Sequence, residues 1–110
     1  MRDDEQEQTR KDFGAVVNMT ASKLEKWLDC DESKQVGDKR SGESTGHASG
    51  RRIVELLQTK RDDLTGADLE HMRKVVGYVH RHLAQRPDGD VADTRWRYSL
   101  MNWGHDPLEK

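Results

Sequence analysis

The sequence has few of the features that stabilise secreted or membrane proteins. Cys30 is its only cysteine, so no internal disulfide can form and an intracellular setting is favoured. No segment approaches the ~20 consecutive apolar residues that span a bilayer, so no membrane partner is expected. The first residues, MRDDEQEQTRKD, contain no apolar run of the kind that secretory signals carry. We therefore expect an intracellular protein, either cytoplasmic or, in a eukaryote, nuclear.

Apolar side chains are also scarce. Hydrophobic residues make up 32% of the 110-residue chain and charged residues 36%, which suggests a folded domain that carries disordered segments. We predict disorder at residues 1–11, where no apolar side chain follows Met1, and one helical domain over residues 12–108. A long flexible loop is predicted at about residues 31–46, where Val36 is the only apolar side chain.

No stretch alternates apolar and polar residues with the two-residue period of a strand, and this absence favours an all-α protein. A helical period instead runs through the middle of the chain, where the apolar positions are Leu69, Met72, Val76, Val79 and Leu83. Thr65 is a natural N-cap for this helix, and Pro87 ends it. The pattern predicts a central helix over about residues 65–86 in a compact bundle of four or five helices.

Shorter helices flank the central one. One follows Thr20, and its start repeats the capping pattern around Thr65, through either a duplication or shared capping chemistry. Another is expected to begin near Ser49. A last helix, capped by Asp93 or Thr94, places Trp96, Leu100 and Trp103 on one face. These tryptophans either lock that helix onto the core or, with the polar tail, form a recognition surface.

The segment Ser49-Gly50-Arg51-Arg52 points most clearly to a ligand. If a helix begins near Ser49, its free backbone N–H groups lie beside two arginines, and Gly50 lets a ligand approach the backbone. Arginines in the first turn are unfavourable beside the positive end of the helix dipole. This suggests that a bound anion such as phosphate balances their charge. The alternative is that both arginines pair with acidic residues of the preceding loop, such as Glu43.

Other chemistry finds little support in the residue spacing. His80 and His82 project to different sides of a helix, so they cannot share a metal ion. No glycine-rich nucleotide loop, serine–histidine–aspartate spacing or pair of catalytic carboxylates is present. We therefore expect no catalytic residues, no metal site and no cofactor. An enzyme would need a deep pocket that gathers His47, His80 and His105.

Three strings, SGRRIVELL, HMRKVVGYVHRHLAQRP and WRYSLMNWGHDP, run through the second half of the chain. They resemble a family of small microbial proteins that is classed as a domain of unknown function and loosely labelled DNA-binding. The resemblance covers residues 13–108. It implies a small protein with a role on DNA.

A shorter resemblance covers MTASKLEKWL, a loop and GHASGRRIVELL. This arrangement is similar to the helix–extended-loop–helix pattern of SAP modules, which bind DNA, although the loop here is longer and acidic. The matching apolar and glycine positions are Leu24, Leu28, Gly50, Ile53 and Leu57. The resemblance implies that Arg51 and Arg52 take the place of the basic residues that precede the second SAP helix.

These observations favour a nucleic-acid-binding protein, with DNA as the expected partner, that contacts phosphates without reading bases. The predicted contact residues are Ser49, Gly50, Arg51, Arg52, Lys74 and Arg81. With at most about six such contacts, binding should be weak and strongly salt-dependent. The alternative is a protein-interaction or regulatory module with no nucleic-acid role, which would use the exposed face of the central helix or the loop at residues 31–46.

Overall fold

The computed structural model describes residues 2–35 and 45–108, which form six α-helices and one turn of 3₁₀ helix. The helices are α1 (Asp3–Val16), α2 (Ala21–Leu28), α3 (Asp31–Gln35), α4 (Thr45–Gln58), α5 (Gly66–Leu83) and α6 (Arg95–Asn102), with the 3₁₀ turn at Arg61–Asp63. No strand occurs within these ranges. The all-α prediction is confirmed, although the described residues form more helices than the four or five expected.

Local capping explains where three of the helices begin. The hydroxyls of Thr20, Thr65 and Thr94 each accept a hydrogen bond from a backbone N–H in the first turn of α2, α5 and α6. At α5 the carboxylate of Asp68 also accepts from the backbone N–H of Thr65, which completes a capping box. These contacts are local in sequence, and the caps at Thr65 and Thr94 agree with the prediction.

The core is formed where α5 packs on α1 and α2 packs on α4, with α6 laid across α2, α3, α4 and α5. Its fully buried side chains include Leu24, Ile53, Val75, Val79 and Leu100. The predicted stripe on α5 is rotated slightly, because Val75 is buried completely whereas Val76 and Leu83 are only partly buried. The rotation follows from the aromatic side chains of α6, which cover one flank of α5.

Helix α5 ends at Leu83, slightly earlier than predicted. The indole Nε1 of Trp96 donates a hydrogen bond of 2.6 Å to the carbonyl of His82. The same carbonyl also accepts from the backbone N–H of Gln85 at 3.1 Å, so the Trp96 bond uses its second lone pair and fixes α6 against the end of α5.

The prediction that residues 1–11 are disordered is wrong for most of that segment. Helix α1 begins at Asp3, and it buries Thr9, Phe13 and Val16. One turn separates Thr9 from Phe13, so they share a helix face, but a face with a threonine in place of an apolar residue gives a weak periodic signal. The helix forms because α5 supplies the surface on which that face is buried.

The loop predicted at residues 31–46 is also interrupted. Helix α3 occupies Asp31–Gln35, and α4 begins at Thr45, while residues 36–44 lie outside the described part of the chain. Ser33 is completely buried, and its hydroxyl donates to the side-chain oxygen of Asn102 on α6. The amide of Asn102 returns a hydrogen bond of 3.1 Å to the carbonyl of Ser33. A polar residue far along the sequence therefore holds α3 in place.

Candidate functional site

The anion site predicted at residues 49–52 is not formed in the way expected. Helix α4 begins at Thr45, so Ser49 lies inside the helix and does not cap it. Ser49 is 4% exposed, and its hydroxyl lies 3.0 Å from Nε2 of His71. Arg51 and Arg52 therefore lie beyond the first turn, where the backbone N–H groups already bond within the helix.

Gly50 is packed against protein and not open to a ligand. A Cβ atom at this position would lie 2.5 Å from the carbonyl oxygen of Asn102 and 2.7 Å from Cδ2 of Leu28. Both distances are too short for real contacts, so only glycine allows α2, α4 and α6 to approach here. The prediction that Gly50 lets a ligand reach the backbone is wrong.

Arg52 is held by a carboxylate of this same chain. One of its terminal nitrogens lies 3.2 Å from Oδ1 of Asp68 on α5. The pKa of Asp68 is lowered, first by the backbone N–H of Thr65, against an opposing effect of burial, and further by the Thr65 hydroxyl and Arg52. The alternative to phosphate binding was an ion pair within the chain. Arg52 does form such a pair, but with Asp68 of α5 instead of an acidic residue of the preceding loop. Glu43, the partner expected, lies outside the described residues.

Lys74 and Arg81 do lie on the exposed side of α5, as predicted. Tyr78 is half-buried and stacks on Trp103 with ring centroids 4.1 Å apart. The guanidinium of Arg81 folds back along the helix towards Gly77. Its Nη1 lies 3.2 Å from the position that a Cβ atom at residue 77 would occupy. Within the described residues, neither Lys74 nor Arg81 has a carboxylate within ion-pair distance.

The surface around these cations carries both signs of charge. Glu70 is exposed on α5 beside Lys74. On the neighbouring helix α1, Glu5 and Asp12 line a groove of about 360 Å³ together with Arg73 and Gly77. Because most of α1 was expected to be disordered, its carboxylates were not predicted to lie beside α5. A phosphate backbone that approached this face would meet both attraction and repulsion.

The structure brings together a serine and a histidine that sequence spacing could not connect. His71 lies between the hydroxyl of Ser49 and the ring of Trp103, on which it stacks at 6.4 Å. Burial lowers the pKa of His71, and the nearby charges of Arg52 and Lys74 lower it further. Ser49 is almost fully buried, whereas a nucleophile must reach its substrate. We therefore interpret the Ser49–His71 pair as a packing contact between α4 and α5 and not as a catalytic pair.

The tryptophans of the last helix pack against α5. Trp103 is 4% exposed and Trp96 7% exposed, and they share one nearly parallel stack with three side chains of α5. The order of the stacked rings is His71, Trp103, Tyr78, His82 and Trp96. These contacts support the prediction that Trp96 and Trp103 lock the helix onto the core, rather than form a recognition surface.

The tail after α6 is tied to the junction between α1 and α2. Asp106 accepts two hydrogen bonds from Arg97, at 3.1 and 3.0 Å. Its backbone N–H donates to Oδ1 of Asn18, and the Asn18 amide donates to the Asp106 carbonyl. Burial alone would raise the pKa of Asp106, but the hydrogen bonds from Arg97 and the Leu108 N–H lower it overall. The polar tail is therefore structural.

A different surface has the character of a binding site. We call it the α1–α4 groove; it has a volume of about 360 Å³ and lies between α1, the end of α4 and the start of α5. Its apolar lining is Phe13, Leu56, Leu57, Leu64 and Met72, and its polar lining is Glu7, Arg10, Lys11, Thr59 and Arg61. Sequence reasoning missed this groove because one of its walls is α1, whose helix was not predicted.

The exposure of the Leu57 side chain distinguishes the α1–α4 groove from an ordinary shallow depression in the protein surface. It is 37% exposed, although its neighbour Leu56 is only 6% exposed. The SAP-type resemblance, to two helices joined by an extended loop, counted Leu57 among its matching apolar positions. In the structure α3 lies between those helices, and Leu57 is at the edge of the groove.

The described part of the chain has neither a cluster of metal-ligating side chains nor a helix suited to crossing a membrane. Among the side chains described, those of residues 2–34 and 48–108, no three histidine, cysteine, aspartate or glutamate residues lie close enough together to hold a metal ion. Among the helices of these ranges, none has both the length and the apolar character that crossing a membrane requires.

Comparison with known proteins identifies a family but no activity. A model of the family described as "Protein of unknown function (DUF3140)" matches residues 12–101. No curated protein and no solved structure matches the chain. Neither the DNA-binding label nor the SAP-type resemblance gains support from these comparisons. Because the match spans most of its length, the chain belongs to the DUF3140 family of proteins of unknown function.

Proposed function

We propose that this chain is a binding module for a protein partner, which it takes up through the α1–α4 groove. The observation that carries the proposal is the exposed Leu57 at the edge of an apolar floor, with charged side chains around it. Exposed apolar surface bordered by polar groups is typical of protein-interaction sites. The proposal includes an intracellular location, since the exposed thiol of Cys30 would stay reduced there.

The alternative, nucleic acid, is less well supported by the geometry of the predicted site. Arg52 is neutralised by Asp68, Gly50 is covered by Asn102 and Leu28, and Ser49 is buried. The formal net charge of the chain is −2, so no overall attraction would offset these losses. The groove needs no such rearrangement to receive a ligand.

A photo-crosslinking experiment tests the proposed function. A photoreactive amino acid is placed at Leu57 in the full chain, and a matched variant carries it at Leu108, the other large apolar side chain exposed in the described residues. After irradiation in living cells, we expect a defined protein adduct from position 57 that is absent from position 108. Equal adducts from both positions, or none from position 57, would reject the groove as an interaction site.

A second candidate function, phosphate binding through Lys74 and Arg81, has one observation in its favour. Both cations are exposed on α5, and no carboxylate of the described residues pairs with them. With two contacts, the slope of log affinity against log salt would be only about −2 for duplex DNA. This candidate predicts DNA binding at ~50 mM salt that is lost in Lys74→Glu/Arg81→Glu and retained in Lys26→Glu/Lys34→Glu.

A further inference from the structure

The shape of the α1–α4 groove restricts the conformation of a partner. Its walls are helices, and residues 2–35 and 45–108 contain no strand whose edge an extended peptide could join. Peptide recognition without a free sheet edge commonly places the apolar face of an amphipathic helix into a hydrophobic groove. A volume of about 360 Å³ has room for a few aliphatic side chains, such as leucines one helical turn apart.

The charges around the groove restrict the chemistry of that partner. Glu7 lies 3.9 Å from Lys11 on the next turn of α1, so these two charges offset each other. The remaining cations are Arg10 and Arg61. Neither has a carboxylate within ion-pair distance among the described residues. The groove therefore presents two uncompensated positive charges beside an apolar floor.

Arg10 is the more informative of these two cations. It is partly buried, and its Nε is sealed from solvent and has no hydrogen-bond acceptor among the described residues. Burying part of a guanidinium without an opposite charge or an acceptor is unfavourable. A carboxylate brought by a partner to the exposed part of this guanidinium would offset that penalty.

From these observations we propose that the α1–α4 groove binds an amphipathic helix whose apolar anchors are flanked by acidic side chains. The anchors pack on Leu57 and Leu64, and the carboxylates pair with Arg10 and Arg61. This inference rests on the proposed function, because it names the class of partner for the same groove.

A defined synthetic probe tests the partner chemistry. The probe is a fluorescent peptide of about 14 residues with leucines at i, i+3, i+4 and i+7 and glutamates beside them. A matched peptide carries lysine in place of every glutamate. Fluorescence anisotropy with the full chain should show about tenfold tighter binding of the acidic peptide than of the basic one.

Charge variants of the protein provide the second arm. Arg61→Gln, a change at an exposed position, should weaken binding of the acidic peptide about threefold, and Arg10→Gln/Arg61→Gln about tenfold. Lys26→Gln/Lys34→Gln removes the same charge from α2 and α3 and should leave binding unchanged. Circular dichroism checks that each variant retains its helices.

The outcomes separate this inference from the proposed function. Equal binding of the two peptides, or unchanged affinity in both arginine variants, overturns the acidic partner. If neither peptide binds but a protein still crosslinks at Leu57, the groove is an interaction site and only its partner chemistry is wrong. If the peptides fail and Leu57 captures nothing, both proposals are rejected.

Discussion

At the scale of single residues, the structure assigns several polar and small side chains to packing rather than to ligand binding. Asn102 is 1% exposed, and its side-chain oxygen accepts hydrogen bonds from Nε1 of Trp27, at 2.8 Å, and from the hydroxyl of Ser33. One buried amide thereby joins α2, α3 and α6. Buried polar groups of this kind must find partners, and here the partners come from two other elements, α2 and α3.

Gly50 offers the clearest test at this scale. Replacing it with alanine should lower the free energy of unfolding by about 2–3 kcal/mol, because the new Cβ would collide with Asn102 and Leu28. The matched control is Gly14→Ala on α1, where nothing lies within 4 Å of the new Cβ. Alanine there should stabilise the protein by about 0.5–1 kcal/mol, since it favours the helix.

Urea unfolding of the two variants measures both effects. A ligand-binding role for Gly50, without a packing role, would leave the unfolding free energy of Gly50→Ala near that of Gly14→Ala. The sequence showed that Gly50 has some special purpose, but it could not separate ligand approach from helix approach. That distinction depends on Asn102, which lies half the chain away.

At the scale of elements, local signals were predictable and weak amphipathic faces were not. The caps at Thr65 and Thr94 could be predicted because each involves residues within one turn. The left-handed turn at Gly104, with φ +80°, follows from the same kind of local signal. Helices α1 and α3 escaped prediction because each is held by side chains from distant elements, namely α5 and α6.

The contact between α5 and α6 should make stability depend on pH. Burial lowers the pKa of His71, as do the charges of Arg52 and Lys74. Burial also lowers the pKa of His82, against a smaller opposite effect of its hydrogen bond with Trp96. A lowered pKa means that the folded state disfavours the charged ring. The resulting stability is present above the unfolded-state pKa of about 6.5 and falls as pH drops through that value.

The prediction is a lower urea midpoint at pH 5 than at pH 7.5. His82→Phe keeps a ring between Tyr78 and Trp96 but cannot titrate, so it should reduce the pH dependence. His80→Gln, at an exposed position on the same helix, is the matched control and should leave the pH dependence of stability unchanged.

The lowered pKa of Asp106 affects stability in a separate pH range, because its contribution is lost only in more acidic solution, below about pH 3.8. An identical midpoint at both pH values would contradict this account.

At the scale of the whole molecule, the position of α1 decides which function the fold supports. Without α1, Lys74 and Arg81 would lie on a solvated basic face of α5, as sequence reasoning assumed. With α1 in place, Glu5 and Asp12 lie beside that face, and a groove opens on the other side of α1. The fold class followed from periodicity and capping, but the site could not, because it depends on how a weakly apolar helix packs.

The central claim is that this chain binds a helical protein segment at the α1–α4 groove. The most direct measurement is chemical-shift mapping of the ¹⁵N-labelled full chain with the acidic peptide and, separately, with duplex DNA at ~150 mM salt. We predict that the peptide shifts amide signals around Leu57, Leu64 and Arg10, and that DNA shifts none. Shifts around Lys74 and Arg81 on adding DNA, with the groove unaffected by the peptide, would contradict the claim.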